Sequence, residues 1–368
     1  MRSSAVRRSQ LLAFWLLTGA ALGMAACSRT PEAPPDSRAP NVKAVASAPP
    51  AAAAPLATAA APPAASPSAT SYKLPGSARV VAIGDLHGDL TAMRGALKLA
   101  GAIDSDDRWI GKDLTVVQTG DQVDRGDQDR EVLDVLEKLE ASAKAAGGAL
   151  HVLNGNHELM NALFDFRYVT RKSFASFDEF SSRAGELAGK VPEAELGRAA
   201  AFMPGAVYAQ KLARHHTVAL VGDSLFAHAG VLPAHVDYGL DRINREASAF
   251  LAGTSRDLPR ILSDERGPVW TRVFGSPEID DTTCQVLERV LTQVGAKRLI
   301  VGHTVQEQGI SSACQERLFR IDIGLSAYYG KKPPQVLEIT AQGVRILNGA
   351  ASDAKKSKAG DSALQSAP

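Results

Sequence analysis

Short apolar runs alternate with amphipathic segments over most of the chain. Three runs of five residues, Arg79–Ile83, Leu114–Gln118 and Ala149–Leu153, are each followed, directly or after one residue, by a glycine and then a polar residue. Runs of this length between turn residues are typical of buried strands. Apolar residues recur at helical spacing over Leu90–Ala100 and Arg130–Lys144. The alternation predicts an α/β domain, in which the ends of neighbouring strands meet at one edge of a sheet.

The strand pattern resumes after a long interruption. Residues 159–214 carry phenylalanines scattered among charges, which predicts a helical insertion over the sheet edge. A predicted hairpin over residues 217–227 leads into His228, and a predicted strand ending at Val301 leads into Gly302-His303. The remaining predicted elements are helices over about 235–251 and 282–294 and strands over 318–323, 335–339 and 344–347.

The N-terminus has the order of a targeting signal. Arginines precede an apolar stretch, Leu11–Leu22, and small residues follow; this is typical of secretory signals and too short to predict a membrane span. Met24-Ala25-Ala26-Cys27 resembles a bacterial lipobox, which implies a lipoprotein attached to a membrane through Cys27. An ordinary cleaved signal peptide is the alternative. Either way, residues 1–27 predict an exported protein, in the periplasm or outer membrane of a Gram-negative-type bacterium.

Composition divides the rest of the chain. Ten of the twenty prolines lie between Pro31 and Pro67, so residues 28–74 are predicted to be a disordered Ala/Pro-rich linker. Residues 75–350 form the predicted catalytic domain, and residues 351–368 a polar, disordered tail. The net charge of +1 and the lack of a basic patch give no reason to expect a nucleic-acid partner. Cys284 and Cys314 are compatible with a disulfide or with two separate buried thiols.

The polar residues that follow the strands suggest metal chemistry. Carboxylate, amide and imidazole ligands together suit Mn²⁺, Fe or Zn²⁺ better than Ca²⁺. The set is large enough for two divalent ions with one shared carboxylate, as in two-metal phosphatases and nucleases. Each short motif is weak evidence alone. Five motifs in order, at residues 84–88, 120–126, 155–158, 228 and 302–303, each after an apolar run, are strong evidence for such a site. The predicted ligands are Asp85, His87, Asp121, Asn156, His228 and His303.

The order of these motifs closely resembles the calcineurin-like metallophosphoesterases. The full Asp-x-Val-Asp-Arg-Gly form at Asp121–Gly126 is similar to the phosphoprotein phosphatase branch, and residues 267–272 and 322–326 resemble bacterial Shewanella-like protein phosphatases. The resemblance covers about residues 79–347. It implies a four-layer α/β/β/α sandwich with a helical insertion, and attack on phosphorus by a hydroxide held between two metal ions.

The resemblance also implies a role for each residue. Asp85 and His87 would bind one ion, Asp121 would bridge, and Asn156, His228 and His303 would bind the second ion. His157 would be the general acid, oriented by Asp124. Arg125 and Arg272 would hold phosphate oxygens. Asp89 and Asp127 are interpreted as helix caps rather than ligands.

The resulting prediction is a phosphomonoesterase that acts on phosphoprotein or phosphopeptide Tyr, Ser or Thr, or on a small phosphoester. A nucleotide hydrolase of the diadenosine tetraphosphatase type is one alternative, because it shares these motifs. A lipid-anchored binding protein without catalysis is another. The sequence decides neither the preferred phosphoamino acid nor the metal.

Overall fold

A computed structural model describes residues 71–350. The predicted signal peptide, lipobox, most of the linker and the tail lie outside the described residues. Within residues 71–350, no helix is long and apolar enough to cross a bilayer.

Two β-sheets form the centre of the domain. The strands are β1 (Lys73–Leu74), β2 (Arg79–Ile83), β3 (Thr115–Gln118), β4 (Ala149–Val152), β5 (Val218–Val221), β6 (Ser224–Ala227), β7 (Arg298–Val301), β8 (Ser311–Ala313), β9 (Leu318–Arg320), β10 (Gln335–Thr340) and β11 (Gly343–Asn348). One sheet has the order β11-β10-β2-β3-β4 and the other β1-β5-β6-β7-β9-β8.

Parallel pairing brings the strand ends together. In the five-stranded sheet, β2, β3 and β4 are parallel neighbours, with Ala82 opposite Val117 and Val117 opposite His151. In the six-stranded sheet, β6 and β7 are parallel, with Ala227 opposite Val301. Each of these strands ends just before a predicted site residue, so both sheets deliver polar side chains from their carboxyl edges.

Helices cover both outer faces of the sheet pair. They are α1 (Leu90–Leu99), α2 (Asp129–Ala145), α3 (Asn156–Ala162), α4 (Arg171–Ala175), α5 (Leu196–Phe202), α6 (Val207–Leu212), α7 (Pro233–Tyr238), α8 (Leu240–Leu251), α9 (Arg260–Ser263) and α10 (Asp281–Val294). Helices α1 and α2 pack on the five-stranded sheet, and α8 and α10 on the six-stranded sheet. One apolar core joins α1, α2 and the facing sides of both sheets, including Ile83, Phe226 and Ile300. The layers therefore run α/β/β/α, as predicted.

The insertion forms a second core with the outer side of the six-stranded sheet. Phe177 meets Phe202 and Tyr208 edge to face at ring-centroid distances of 5.2 and 5.0 Å, and Phe202 stacks on Tyr208 at 5.6 Å. The three rings share a buried cluster with residues of α8 and α10. The phenylalanines predicted to be local core in the insertion thus include Phe177 and Phe180, both buried. The insertion is helical, as predicted, but in short α and 3₁₀ turns.

Several predicted elements have different bounds. The helix predicted over residues 235–251 is two helices, because Gly239 adopts φ = 101°. The strand predicted over 318–323 ends at Arg320, and β1 and β8 were not predicted. Asp89 does cap α1 by accepting from Ala92 N–H at 2.9 Å.

The prediction that Asp127 caps a helix is wrong. Its carboxylate accepts from Thr170 Oγ1 at 2.8 Å and pairs with Lys172 at 3.1 Å, while α2 begins after Gln128 without a side-chain cap. Cys284 and Cys314 form a disulfide between α10 and the turn that follows β8, which decides between the two alternatives left open by the sequence.

Candidate active site

The loops at the strand ends adopt an uncommon backbone conformation. His87, Asp121, Asp124, Arg125 and His303 all have positive φ, between 46° and 71°. Non-glycine residues seldom adopt this region, and such strain is concentrated at functional sites. The same five residues were selected by motif as site residues, whereas other non-glycine residues with positive φ, such as Asp107 and Gln315, lie outside the motifs.

Asp121 lies at the centre of the group. Its Oδ2 is 3.3 Å from His228 Nε2, 3.7 Å from His157 Nε2 and 3.8 Å from His87 Nε2, and its Oδ1 accepts from His157 N–H at 3.1 Å. Asp121 is buried. Although burial alone would raise its pKa, the neighbouring imidazoles of His228, His157 and His87 outweigh burial and hold the pKa well below the usual range. Asp121 is therefore an ionised carboxylate with imidazoles on several sides.

Three of the histidines direct an unprotonated nitrogen at this centre. The Nδ1 of His228 is 3.0 Å from Thr119 O, and the Nδ1 of His87 is 3.2 Å from Val123 O. The Nε2 of His303 is 3.2 Å from Trp270 O. A backbone carbonyl only accepts, so each contact assigns a ring proton to the nitrogen facing it, and in the neutral ring the other nitrogen then carries a lone pair. This arrangement is typical of metal-binding histidines.

The inward-facing atoms of His228, Asn156 and His303 do not supply hydrogen-bond donors to one another. His228 Nε2 lies 2.9 Å from Asn156 Oδ1 and 3.1 Å from His303 Nδ1. In the neutral rings all three of these atoms are hydrogen-bond acceptors. Acceptors at these distances repel unless a cation lies among them. Burial and the adjacent His228 also lower the pKa of His303 well below its usual value, which keeps the ring neutral and able to bind a metal.

Asp85 shares its buried site with other carboxyl groups. Asp85 accepts from His303 N–H at 3.1 Å and lies 3.9 Å from His228 Nδ1. Burial, Asp322 and Asp121 raise its pKa well above the ordinary value, because carboxylates that share a buried site repel each other.

The donor set fits divalent cations. Asp121 belongs to two compact groups of candidate ligand atoms, one with His87 and His157 and one with His228 and His303, each within 4.8 Å. The sharing of a single carboxylate suits a two-ion site.

His157 has a second partner that distinguishes it from the other histidines. Its Nδ1 lies 2.6 Å from Asp124 Oδ2, and its Nε2 is 3.3 Å from an Arg125 nitrogen. Burial favours the neutral ring, but Asp121 and Asp124 outweigh it and raise the pKa of His157. An imidazole with a raised pKa, held by a carboxylate, suits proton donation better than metal binding.

The two predicted arginines lie in different surroundings. Arg125 packs against three aromatic rings, with its guanidinium carbon 4.8 Å from the Tyr168 ring, 5.6 Å from Tyr328 and 5.4 Å from Tyr329. It is therefore not the surface ion pair with Asp124 that was the alternative. Arg272 is exposed and donates to Thr304 Oγ1 at 3.4 Å, one residue from His303.

Four further features were missed by the motif analysis. Glu158 accepts from the N–H groups of Asp121, Gln122 and Gly155 at 2.6–2.9 Å, so it ties two strand-end loops together. Asp322 is buried beside Asp85. The tyrosines around Arg125 are a third feature, and a buried arginine of the insertion, Arg198, is the fourth. Glu158 and Asp322 lie within the matched segments 155–158 and 322–326, although no role was assigned to either, whereas the only sequence signal for Arg198 is a charge within the apolar helix α5.

Comparison with known proteins agrees with this architecture. Residues 78–307 match the family model of the calcineurin-like phosphoesterases. The chain is similar to Shewanella-like protein phosphatase 2 of Arabidopsis thaliana, 40% identical over 73% of this chain and 77% of the relative. It is also similar to Shewanella-like protein phosphatase 1 of Plasmodium berghei, 27% identical over 74% of each chain.

Among solved structures, a cold-active protein-tyrosine phosphatase from a psychrophilic Shewanella species is similar, with a TM-score of 0.61 and 26% identity. The match covers 75% of this chain and 82% of that one. The family model spans more than half of the sequence and a relative at 40% identity covers most of it. The chain therefore belongs to the calcineurin-like phosphoesterase family.

Proposed function

We propose that this member of the family is a two-metal phosphoprotein phosphatase that prefers phosphotyrosine. The observation that carries the proposal is the convergence of unprotonated histidine nitrogens on Asp121. The proposed proton donor, His157, and Arg125, which packs against tyrosine rings, lie directly beside this group. The names of the relatives support it, since two are called protein phosphatases and the similar structure is called a protein-tyrosine phosphatase.

In this proposal, Asp85 and His87 hold one ion, Asn156, His228 and His303 hold the other, and Asp121 is shared. Mn²⁺, Fe and Zn²⁺ all match a set of carboxylate, amide and imidazole ligands. Two such ions, when bound, would supply a hydroxide near neutral pH by lowering the pKa of a water.

His157 provides the proton for the leaving group. As the new oxygen bonds to phosphorus and the phosphorus–tyrosine oxygen bond breaks, the proton on His157 Nε2 moves to the departing oxygen. The products are inorganic phosphate and an unmodified tyrosine. Asp124 stays ionised and stabilises the charged imidazole through its 2.6 Å contact with Nδ1.

Arg125 and Arg272 hold the phosphate oxygens. Within the described part of the chain, the buried Nε of Arg125 has no hydrogen-bond partner, and a buried donor of this kind calls for an acceptor. A phosphate oxygen would provide one, and a guanidinium presents two donors to such a group in one plane.

The tyrosines support the substrate preference. Tyr328 is 61% exposed although its ring lies 5.6 Å from the guanidinium of Arg125, so it forms a free aromatic surface beside the proposed phosphate position. An aromatic leaving group can pack on such a surface, whereas the short aliphatic linkers of phosphoserine and phosphothreonine cannot.

The test compares peptides of one sequence that carry phosphotyrosine, phosphoserine or phosphothreonine, assayed with metal-loaded protein. We expect kcat/KM to be highest for phosphotyrosine, and Tyr328→Ala to reduce that advantage by about three- to tenfold. Tyr328→Phe, which keeps the ring, is the matched control. Equal turnover of all three peptides would contradict the preference, and faster hydrolysis of diadenosine tetraphosphate would favour the nucleotide hydrolase alternative.

We also propose that the protein is an exported lipoprotein of the periplasm or outer membrane. The proposal is supported by the order of basic, apolar and small residues before Cys27. Membrane fractionation of cells that express the full chain tests it: the wild type should sediment with membranes and Cys27→Ser should not. A wild-type protein found only in the soluble fraction would contradict the lipid anchor and leave the catalytic proposal intact.

A further inference from the structure

Arg198 heads the fully buried side chains of residues 71–350 when these are ranked by residue volume. Its exposed fraction is 0%, and it projects from α5 of the insertion. The guanidinium packs against the rings of Phe177 and Phe202, at 5.1 and 5.0 Å from their centroids. A buried arginine is rare unless it is paired, so its partners indicate what it does.

All three guanidinium nitrogens have partners, and one of them leads to the proton donor. Nη2 lies 3.0 Å from Asp124 Oδ1 and 2.7 Å from Asp129 Oδ2. Nε donates to Asn161 Oδ1 at 2.7 Å and Nη1 to Ser173 Oγ at 2.7 Å. Arg198 thus joins the insertion to the loop that carries Asp124.

The two oxygens of Asp124 face different partners. Oδ1 accepts from both Arg198 and Asn161, the latter at 2.9 Å, and Oδ2 faces His157 Nδ1. Asn161 also donates to the backbone oxygen of His157 at 2.9 Å. With Oδ1 fixed in this way, the carboxylate cannot rotate away from the imidazole without losing two hydrogen bonds.

We infer that Arg198 is a positioning residue of the reaction, holding Asp124 so that His157 presents its Nε2 proton to the leaving oxygen. The inference rests on the proposed phosphatase function. It assigns the insertion a part in catalysis, because α5 supplies a cation to the acid pair from outside the strand-end motifs. Since two carboxylates, Asp124 and Asp129, share the guanidinium, its loss would leave Asp129 buried without a cation and Asp124 with the imidazole of His157 alone.

The expected signature is a dependence on the leaving group. A tyrosine phenol has a pKa of about 10 and needs a proton as it departs, whereas a nitrophenolate leaves readily without one. A defect in proton donation therefore slows hydrolysis of phosphotyrosine peptide far more than that of 4-nitrophenyl phosphate. General loss of folded protein or of metal slows both equally.

The experiment measures kcat/KM of metal-loaded full-length protein for both substrates, with bound metal counted in each sample. Arg198→Met should lower the phosphotyrosine rate by on the order of 10²-fold and the nitrophenyl rate by less than about tenfold, with metal content unchanged. Leu212→Ala is the control, because Leu212 is buried in the same core as Phe177 and Phe202 but does not bond to Asp124.

A second variant separates positioning from folding. The double variant Arg198→Met with Asp129→Asn removes one carboxylate with the cation, so it is expected to fold even where the single variant does not. It should keep the larger loss for phosphotyrosine peptide than for 4-nitrophenyl phosphate, because Asp124 still lacks the guanidinium of Arg198. Equal losses for both substrates in these variants, or full recovery in the double variant, would overturn the inference. If the wild type hydrolyses neither substrate, the phosphatase proposal itself fails.

Discussion

The hydrogen bonds of single side chains distinguish the proposed metal ligands of this site from the proposed proton donor. His87, His228 and His303 each face a backbone carbonyl with one ring nitrogen, which leaves the other with a lone pair. His157 faces the carboxylate of Asp124 instead, which favours the charged ring. Similar residues thus differ in role because their second partners differ.

Replacing His157 by alanine tests that distinction. His157→Ala should keep both metal ions and reduce kcat for phosphotyrosine peptide by about 10²–10⁴-fold, the range expected for loss of a general acid. Metal analysis and single-turnover rates measure the two effects separately. Loss of one ion in this variant would show that His157 is a ligand.

The sequence contained enough at this scale to locate the strand-end residues, because each follows an apolar run in a short motif. It did not locate Arg198 or Tyr328. Both act through contacts between segments far apart in the chain, such as Arg198 with Asp124 and Tyr328 with Arg125. No local pattern reports contacts of this kind.

At the scale of elements, tight approach between loops positions the ligands. A Cβ built on Gly155 would lie 2.1 Å from Asp121 Oδ1, so the loop after β4 can pass beside that carboxylate only with glycine. The role of Gly239 could not be predicted in this way. The sequence placed this glycine inside a predicted helix, and only the structure shows that it adopts φ = 101° and divides the helix in two. Most of the buried strands, by contrast, were predictable to within one residue because burial and length agree, although the strand predicted over 318–323 ends at Arg320 and β1 and β8 were missed.

A pair of glycine substitutions tests the importance of this approach. Gly155→Ala should displace Asp121, lower bound metal and destabilise the protein by about 1–3 kcal/mol. Gly95→Ala is the matched control: it lies within α1, its added Cβ would be 3.6 Å from Pro334, and it should stabilise by about 0.5–1 kcal/mol. Urea unfolding and metal analysis measure both. Normal metal content in Gly155→Ala would contradict the account.

At the scale of the whole molecule, the two sheets bring several buried carboxyl groups together, and bound metal ions would neutralise their negative charge. Burial raises the pKa of Glu158 from 4.5 to about 7 and that of Asp322 from 3.8 to about 6. Domain-scale prediction from sequence succeeded for the family and the sandwich, because the order of strands and motifs is diagnostic. It left open the disulfide, since Cys284 and Cys314 meet only after α10 and β8 are in place.

The raised pKa values predict how stability varies with pH in metal-free protein. A carboxyl whose pKa is higher in the folded state holds its proton more tightly there. Its stabilising effect is therefore complete below its unfolded pKa and is lost as the pH rises through about 7. Buried histidines such as His87 and His303, whose pKa values are lowered, act in the opposite direction, so the carboxyl effect is measured as a difference between two proteins. Between pH 5.5 and pH 8, metal-free wild type should lose on the order of 2 kcal/mol of stability relative to metal-free Glu158→Gln. Urea unfolding of both proteins at the two pH values measures this difference, and the same pH dependence in both proteins would contradict it.

The most direct test of the account counts metal ions. Metal-free protein titrated with Mn²⁺ should bind two ions per chain, and phosphotyrosine turnover should rise with them. Asp121→Asn should weaken binding of both ions and abolish turnover, because Asp121 is the one carboxylate in both candidate ligand groups of the described chain. Failure of the wild type to bind two ions, or full binding and turnover by Asp121→Asn, would contradict the central claim.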